Sequence, residues 1–216
     1  MGRDEIDHES ASVTFVLKWE LSHLGDDEYD ARLVKFPGWE NTMRLSSAKE
    51  YNLPQPIHFD ANFRTLAKID YPYNNVRWPI MSSRMLQTLR AVGDFSHKAI
   101  EIIMLDDTIL PPDRYDASGK PRHARLENHD FRGVQLLNHL DAFDWEKSVA
   151  ERDEDLPARA QSIDKLVLKE PAGGFPPLFR LSAYPVALLV SSVARRALEK
   201  AGIGGVDFQE LKDFKG

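Results

Sequence analysis

Ile80-Met81-Ser82-Ser83-Arg84-Met85-Leu86-Gln87-Thr88-Leu89-Arg90-Ala91-Val92-Gly93 and Leu189-Val190-Ser191-Ser192-Val193-Ala194-Arg195-Arg196-Ala197-Leu198-Glu199-Lys200-Ala201-Gly202 align without a gap. In each, an apolar strand end runs into two serines, a helical stretch follows, and a glycine closes it before the next apolar run. The spacing has a physical reason. A serine oxygen accepts from the free N–H groups of a first helical turn, and glycine takes the left-handed conformation that ends a last one. Met85, Leu86, Leu89 and Val92 recur at helical spacing in the first unit; Val193, Ala194, Ala197, Leu198 and Ala201 do so in the second. Either serine of each pair can serve as the cap. The two units read as an architectural pseudo-repeat, strand–cap–helix–glycine–strand, identical at both serines, one leucine and the glycine. Paired serines at a helix start also suggest a nucleophile or a phosphate site, but no glycine-rich loop precedes either pair.

Working outward, Val13 to Leu21, Ile57-His58-Phe59, Ala67 to Asp70, Ala99 to Leu105, Ser162 to Leu168, Leu178 to Leu181, Ala187 to Val190 and Val206 to Phe208 read as strands. Residues 31–56, with Pro37-Gly38, Pro54 and Pro56, read as loop. Pro111 to Arg132 is a long polar segment, either a hidden hairpin or a mobile functional loop. Residues 1–12 are polar and read as a disordered tail, and residues 13–216 as one domain. The sum is an α+β fold, two main helices against a mixed or mostly antiparallel sheet.

Composition sets the class. With 42% hydrophobic and 29% charged residues the chain is too apolar for a disordered protein. It has no cysteine, so a disulfide framework, a thiolate metal site and a cysteine nucleophile are all excluded. Met1 to Glu5 runs into acids without the apolar stretch of a signal peptide, and the longest apolar run, Val186 to Val190, is far short of a membrane span. The expected location is the cytoplasm, with no membrane partner.

The net charge of −6 is concentrated at one end. Residues 1–30 hold Asp4, Glu5, Asp7, Glu9, Glu20, Asp26, Asp27, Glu28 and Asp30 against Arg3 and Lys18. An acidic chain is a poor nucleic-acid binder, because phosphate contacts need a basic face. Such a run suits a basic protein partner, or simply a solvated surface.

The chain offers little reaction chemistry. Its seven histidines fall in no HExxH or HxH arrangement, and His129-Asp130 with His123, the nearest approach to a ligand cluster, lies in the polar segment. GxSxG, GxxxxGK[ST] and GxGxxG are absent, and Gly202-Ile203-Gly204-Gly205 follows a helix where a dinucleotide fingerprint would open one. Asp141, Asp144 and Glu146 sit at spacings that do not by themselves make an acid/base pair. No catalytic residue, metal or cofactor is expected. Among the tryptophans, Trp39 and Trp145 have the most polar neighbours and stand out as interface anchors, beside the acids Asp26, Asp27 and Glu28.

Leu178-Phe179-Arg180-Leu181, Leu189-Val190-Ser191, Ala197-Leu198, Gly202 and Gly205-Val206-Asp207-Phe208 resemble the closing pattern of a family of bacterial immunity proteins from polymorphic toxin systems. This is the myxobacterial-type immunity domain family, formerly a domain of unknown function. Pro79-Ile80-Met81-Ser82 is similar to its proline-led strand and serine, and Leu140 to Ser148 to a middle element that ends in an aspartate and a serine. The likeness covers about residues 76–211, and the insert Pro111–Arg132 goes beyond the pattern. What the resemblance implies is neutralisation: a non-enzymatic protein that binds a cognate protein toxin and blocks it, protecting the producing cell or its kin.

Overall fold

A computed structural model describes residues 13–25, 28–34 and 45–216. The elements in chain order are β1 (Thr14–Trp19), β2 (Ala31–Leu33), β3 (Ile57–Ala61), α1 (Phe63–Leu66), β4 (Ile80–Ser82), α2 (Ser83–Val92), β5 (His97–Asp106) and α3 (Pro111–Arg114). They continue with β6 (Glu127–Asn128), β7 (Phe131–Leu136), β8 (Val149–Arg152), β9 (Ala160–Lys165), β10 (Leu178–Phe179), β11 (Leu189–Ser191), α4 (Ser192–Lys200) and β12 (Val206–Glu210). The fold is α+β, as the sequence pattern requires.

Two sheets share the two main helices. The first runs β10-β11-β1-β12, antiparallel throughout. The second runs β2-β3-β5-β7-β4, with β6 on β5 and one parallel pair, β3 with β5. A separate two-stranded ribbon pairs β8 with β9. The pseudo-repeat is real at the level of topology. β4 and β5 flank β7, and β11 and β12 flank β1, each flanking pair antiparallel to its central strand and joined by one helix. Each unit is therefore a β–α–β crossover split by a third strand. In one the intruding strand comes later in the chain, in the other much earlier.

Period-2 alternation decides which faces are buried. In β1, Phe15 and Leu17 point into the cluster beneath the helices with Met85, Leu89, Ala194 and Leu198, while Val16 joins Phe179, Leu189 and Ile163 on the opposite face. A third cluster, with Ile57, Phe59, Ile100, Ile102 and Met104, covers the far face of the second sheet. A buried leucine contributes roughly 1.5–3 kcal/mol by area removed from water. Leu89 and Leu198, the one apolar identity of the repeat, are both at 0% exposure.

The caps resolve the serine ambiguity. Ser82 and Ser191 are the N-caps, accepting from Met85 N at 3.1 Å and Ala194 N at 3.3 Å, so the first serine of each pair does the capping. Ser191→Ala is expected to cost about 1 kcal/mol, whereas Ser192→Ala stays within about 0.5 kcal/mol of wild type, read from urea midpoints. Equal effects would mean that the cap is misassigned.

Four expectations need correction. Gly202 ends α4 in the left-handed region (φ 62), with Gly202 N donating to Glu199 O and Ile203 N to Leu198 O. Gly93, by contrast, is extended (φ 166, ψ 175), a conformation any residue adopts, and it packs beside Pro177. Residues 67–70 form no strand: they follow the short helix α1, and Ile69 is buried by docking instead of by a ladder. β2 lies within the stretch read as loop. Val193, read into the helix's apolar face, is 53% exposed; the buried stripe is Ala194 and Leu198. The polar segment 111–132 holds a tight turn, with Tyr115 bridging Pro121 and Asp116 accepting from Ser118 and Lys120. It is anchored by Arg114 on Asp60 at 2.6 Å. The disordered tail proposed for residues 1–12 lies outside the described residues.

Candidate interaction surface

Helices α2 and α4 lie antiparallel, which gives the pair two unlike ends. At one end the start of α2 meets the end of α4, and this end is locked. Arg84 donates to Ala201 O (3.2 Å) and Gly202 O (3.1 Å) and pairs with the buried Asp70. Asp70 also accepts from Ser82 Oγ (2.6 Å) and from Gly204 N (2.9 Å). Burial alone would raise the Asp70 carboxyl; the bonds from Arg84, Ser82 and Gly204 outweigh it, and the net shift is downward.

At the other end the start of α4 faces the end of α2 across an open cleft of about 1050 Å³. Val13, Val193, Phe175 and Pro176 bring apolar surface to its lining. Val13 is 50% exposed, so two large apolar side chains are left in water within one cleft. Arg195 stacks its guanidinium 4.2 Å above the Phe15 ring and donates to Glu199 Oε1 at 2.8 Å. The Ser191 hydroxyl is used as the cap. The arrangement supplies apolar contact area with a charged rim, the composition of a binding surface.

Of the residues singled out from sequence, Trp145 and Glu28 do not line this cleft. Trp39, Asp26 and Asp27 lie outside the described residues. Trp145 packs 4.4 Å from Phe143, with the Arg152 guanidinium 3.7 Å above its ring, so it is half-buried beside the β8–β9 ribbon. Glu28 is exposed near β2 and reaches Arg32 at 3.4 Å. Trp145 packs against the cluster of Val16, Phe179 and Leu189 beneath the first sheet, and Glu28 precedes β2 at the edge of the second.

Among the described acids of the N-terminal stretch, Glu20 and Asp30 are held by partners. Asp30 is buried: its Oδ1 meets His23 Nε2 at 2.7 Å and its Oδ2 accepts from Tyr73 N at 2.8 Å. Bonds from Ser22 and His23 pull the Glu20 carboxyl down to about 2. Burial opposes the charged form of His23, yet Glu20 and Asp30 carry its pKa upward. Asp144, weighed above as an acid, is likewise structural, with its Oδ1 accepting from the N–H groups of Glu146 and Lys147.

Sequence reasoning missed the cleft because its parts come from residues 13–15, 92–94, 173–177 and 191–199. The one local signal was Val193, which sits off the stripe set by Ala194 and Leu198. Among the described residues no helix is long and apolar enough to cross a membrane. No curated protein matches the chain at a significant level. The resemblance carried by the C-terminal motifs is borne out by comparison with known families: residues 128–213 match the model of an immunity protein family (Imm11).

Proposed function

We propose that this protein is an immunity protein that binds a cognate bacterial toxin and blocks it by occlusion, in the cytoplasm of the producing cell and without catalysing a reaction. The observation that carries the reading is the family match over residues 128–213, the segment that supplies α4 and the loop 173–177. These build one wall of the open cleft. The exposed Val13 and Val193 supply apolar anchors, and the loss of water from such a pair drives association without any reactive group. Trp145 and Trp39 belong to the same reading as further anchors. Asp26, Asp27 and Glu28 would steer a basic toxin and speed its capture.

The test is co-expression with the product of the neighbouring gene, read as survival and as a complex recovered on a tag. Wild type is expected to restore growth. Val193→Asp, an exposed change with little effect on folding, is expected to weaken the complex at least about tenfold by placing a charge in the buried interface. Rescue by wild type with full activity in the Val193→Asp variant would move the interface away from the cleft. Neither rescue nor complex would end the immunity reading.

A further inference from the structure

A second cavity, of about 280 Å³, lies where β1 passes the Tyr71–Pro79 segment and the chain around Tyr184 to Leu188. Its lining holds four bases, Lys18, Arg77, Arg180 and Lys215, together with Tyr71 and Tyr184, and no acid. Arg180 is the unusual member. It lies within the motif Phe179-Arg180-Leu181, flanked by two fully buried apolar residues, and is itself only 4% exposed. Its Nη1 donates to Pro185 O (2.6 Å) and Val186 O (2.9 Å), while its Nε has no acceptor. No carboxylate pairs with it among the described residues. A guanidinium taken out of water without a counter-charge is costly, since the two backbone carbonyls satisfy the Nη1 protons but neither the Nε proton nor the charge.

Two further observations point the same way. Lys18 and Arg77 are exposed at this cavity and form no ion pair among the described residues, while Lys215 leans towards Asp164 (3.6 Å). Arg77 also holds a left-handed backbone (φ 53), a conformation unfavourable for a side chain of its kind and one that gathers at ligand sites. The surrounding field is positive enough to be felt by a neighbour. Burial first, then Arg180 and Arg159, push the His139 imidazole down to about 4, and burial draws Arg180 itself down to about 10.

We propose that this cavity is an oxyanion-binding site, with Arg180 as the buried charge and Lys18 and Arg77 as the exposed rim that meets a carboxylate or phosphate group. The guanidinium fork matches either group, and an anion supplies the missing counter-charge. Two sources carry that chemistry, a free phosphorylated or carboxylated small molecule and an acidic side chain of a protein partner. The site does not depend on the toxin-binding reading, because the anion alone is the probe.

The experiment titrates the full chain with inorganic phosphate and, separately, with acetate, by calorimetry and by NMR of the His139 ring. Saturable binding of at least one anion is expected, with the His139 titration midpoint moving upward as the anion offsets Arg180. The double variant Lys18→Ser, Arg77→Gly changes two exposed positions and relaxes the left-handed residue, so the fold is kept. It is expected to bind at least about tenfold more weakly, the scale of a lost charge-assisted contact. Arg180→Met tests the buried charge where that variant folds. Tighter phosphate than acetate supports a phosphorylated ligand; the reverse order supports a carboxylate, with a glutamate-containing peptide then separating a partner's side chain from a free acid. Absence of saturable binding, binding unchanged in the double variant, or a fixed His139 midpoint overturns the proposal.

Discussion

Gly204→Ala is expected to remove most of the stability of this protein. A Cβ at that position would lie 2.2 Å from the carbonyl oxygen of Lys68, which is backbone and cannot swing aside. Gly205, next in the chain, is left-handed (φ 78), and its Cβ would fall 2.4 Å from Ile69 Cγ2 and 3.0 Å from Tyr71 O. Two chain segments far apart in sequence thus run in direct backbone contact. Asp70 N donates to Gly204 O (2.9 Å), and Glu20 N to Gly205 O (3.1 Å). Prising them apart costs the Asp70–Gly204 bond and the packing of Ile69 together. We expect a loss of at least about 4 kcal/mol, seen as a collapse of the urea midpoint. Gly173→Ala, where nothing lies within 4 Å, serves as the control and should shift by no more than about 0.5 kcal/mol. A near-wild-type midpoint for Gly204→Ala would mean that the segments are not in contact.

Asp70→Ala comes next in size. It leaves the Ser82 hydroxyl and the Gly204 N–H without their acceptor and strips Arg84 of its counter-charge. Breaking a buried pair costs about 3–5 kcal/mol. Because the Arg84 side chain is 56% exposed and rehydrates readily, the lower end, about 3 kcal/mol, is the expected figure. The pH dependence follows from the downward shift of the Asp70 carboxyl. A depressed folded-state pKa gives stability that is fully present above the unfolded value, near 3.8, and is lost as pH falls through the folded one. Asp70→Asn, which keeps the size and one acceptor, should therefore lose less than wild type between pH 5 and acid, so that the two curves converge. Parallel curves would show that Asp70 is not held ionised by its partners.

The helices could be read from the sequence because their signals are local. A serine, a 3/4 spacing and a glycine lie within fourteen residues, and two of them carried the α+β assignment. The sheets were less readable. β2 alternates over only three residues, Ala31-Arg32-Leu33, too few to stand out, and β8 is exposed along most of its length and leaves no alternating pattern. Residues 67–70 looked like a strand since Ile69 is apolar, but what buries it is the Gly204-Gly205 backbone, 135 residues away in the chain. The interaction surface was hardest. Trp145 was chosen for its charged neighbours, yet Arg152 lies over its ring. The cleft gathers residues from four separate stretches, and the oxyanion site rests on an arginine whose burial only the fold could reveal.

The position of β1 has a consequence for how the chain is made. It is an inner strand of the four-stranded sheet, and both its neighbours, β11 and β12, come from residues 189–210. At about 5–20 residues per second, a ribosome needs on the order of ten seconds or more to reach them after β1 has emerged. Throughout that interval Phe15, Val16 and Leu17 have no ladder to join. The family-matched segment, for its part, is made after β1 and cannot finish its own sheet without that earlier strand. Contacts so distant in sequence make for slow folding, and they leave a nascent chain that must be kept from pairing with its neighbours until residues 189–210 are delivered.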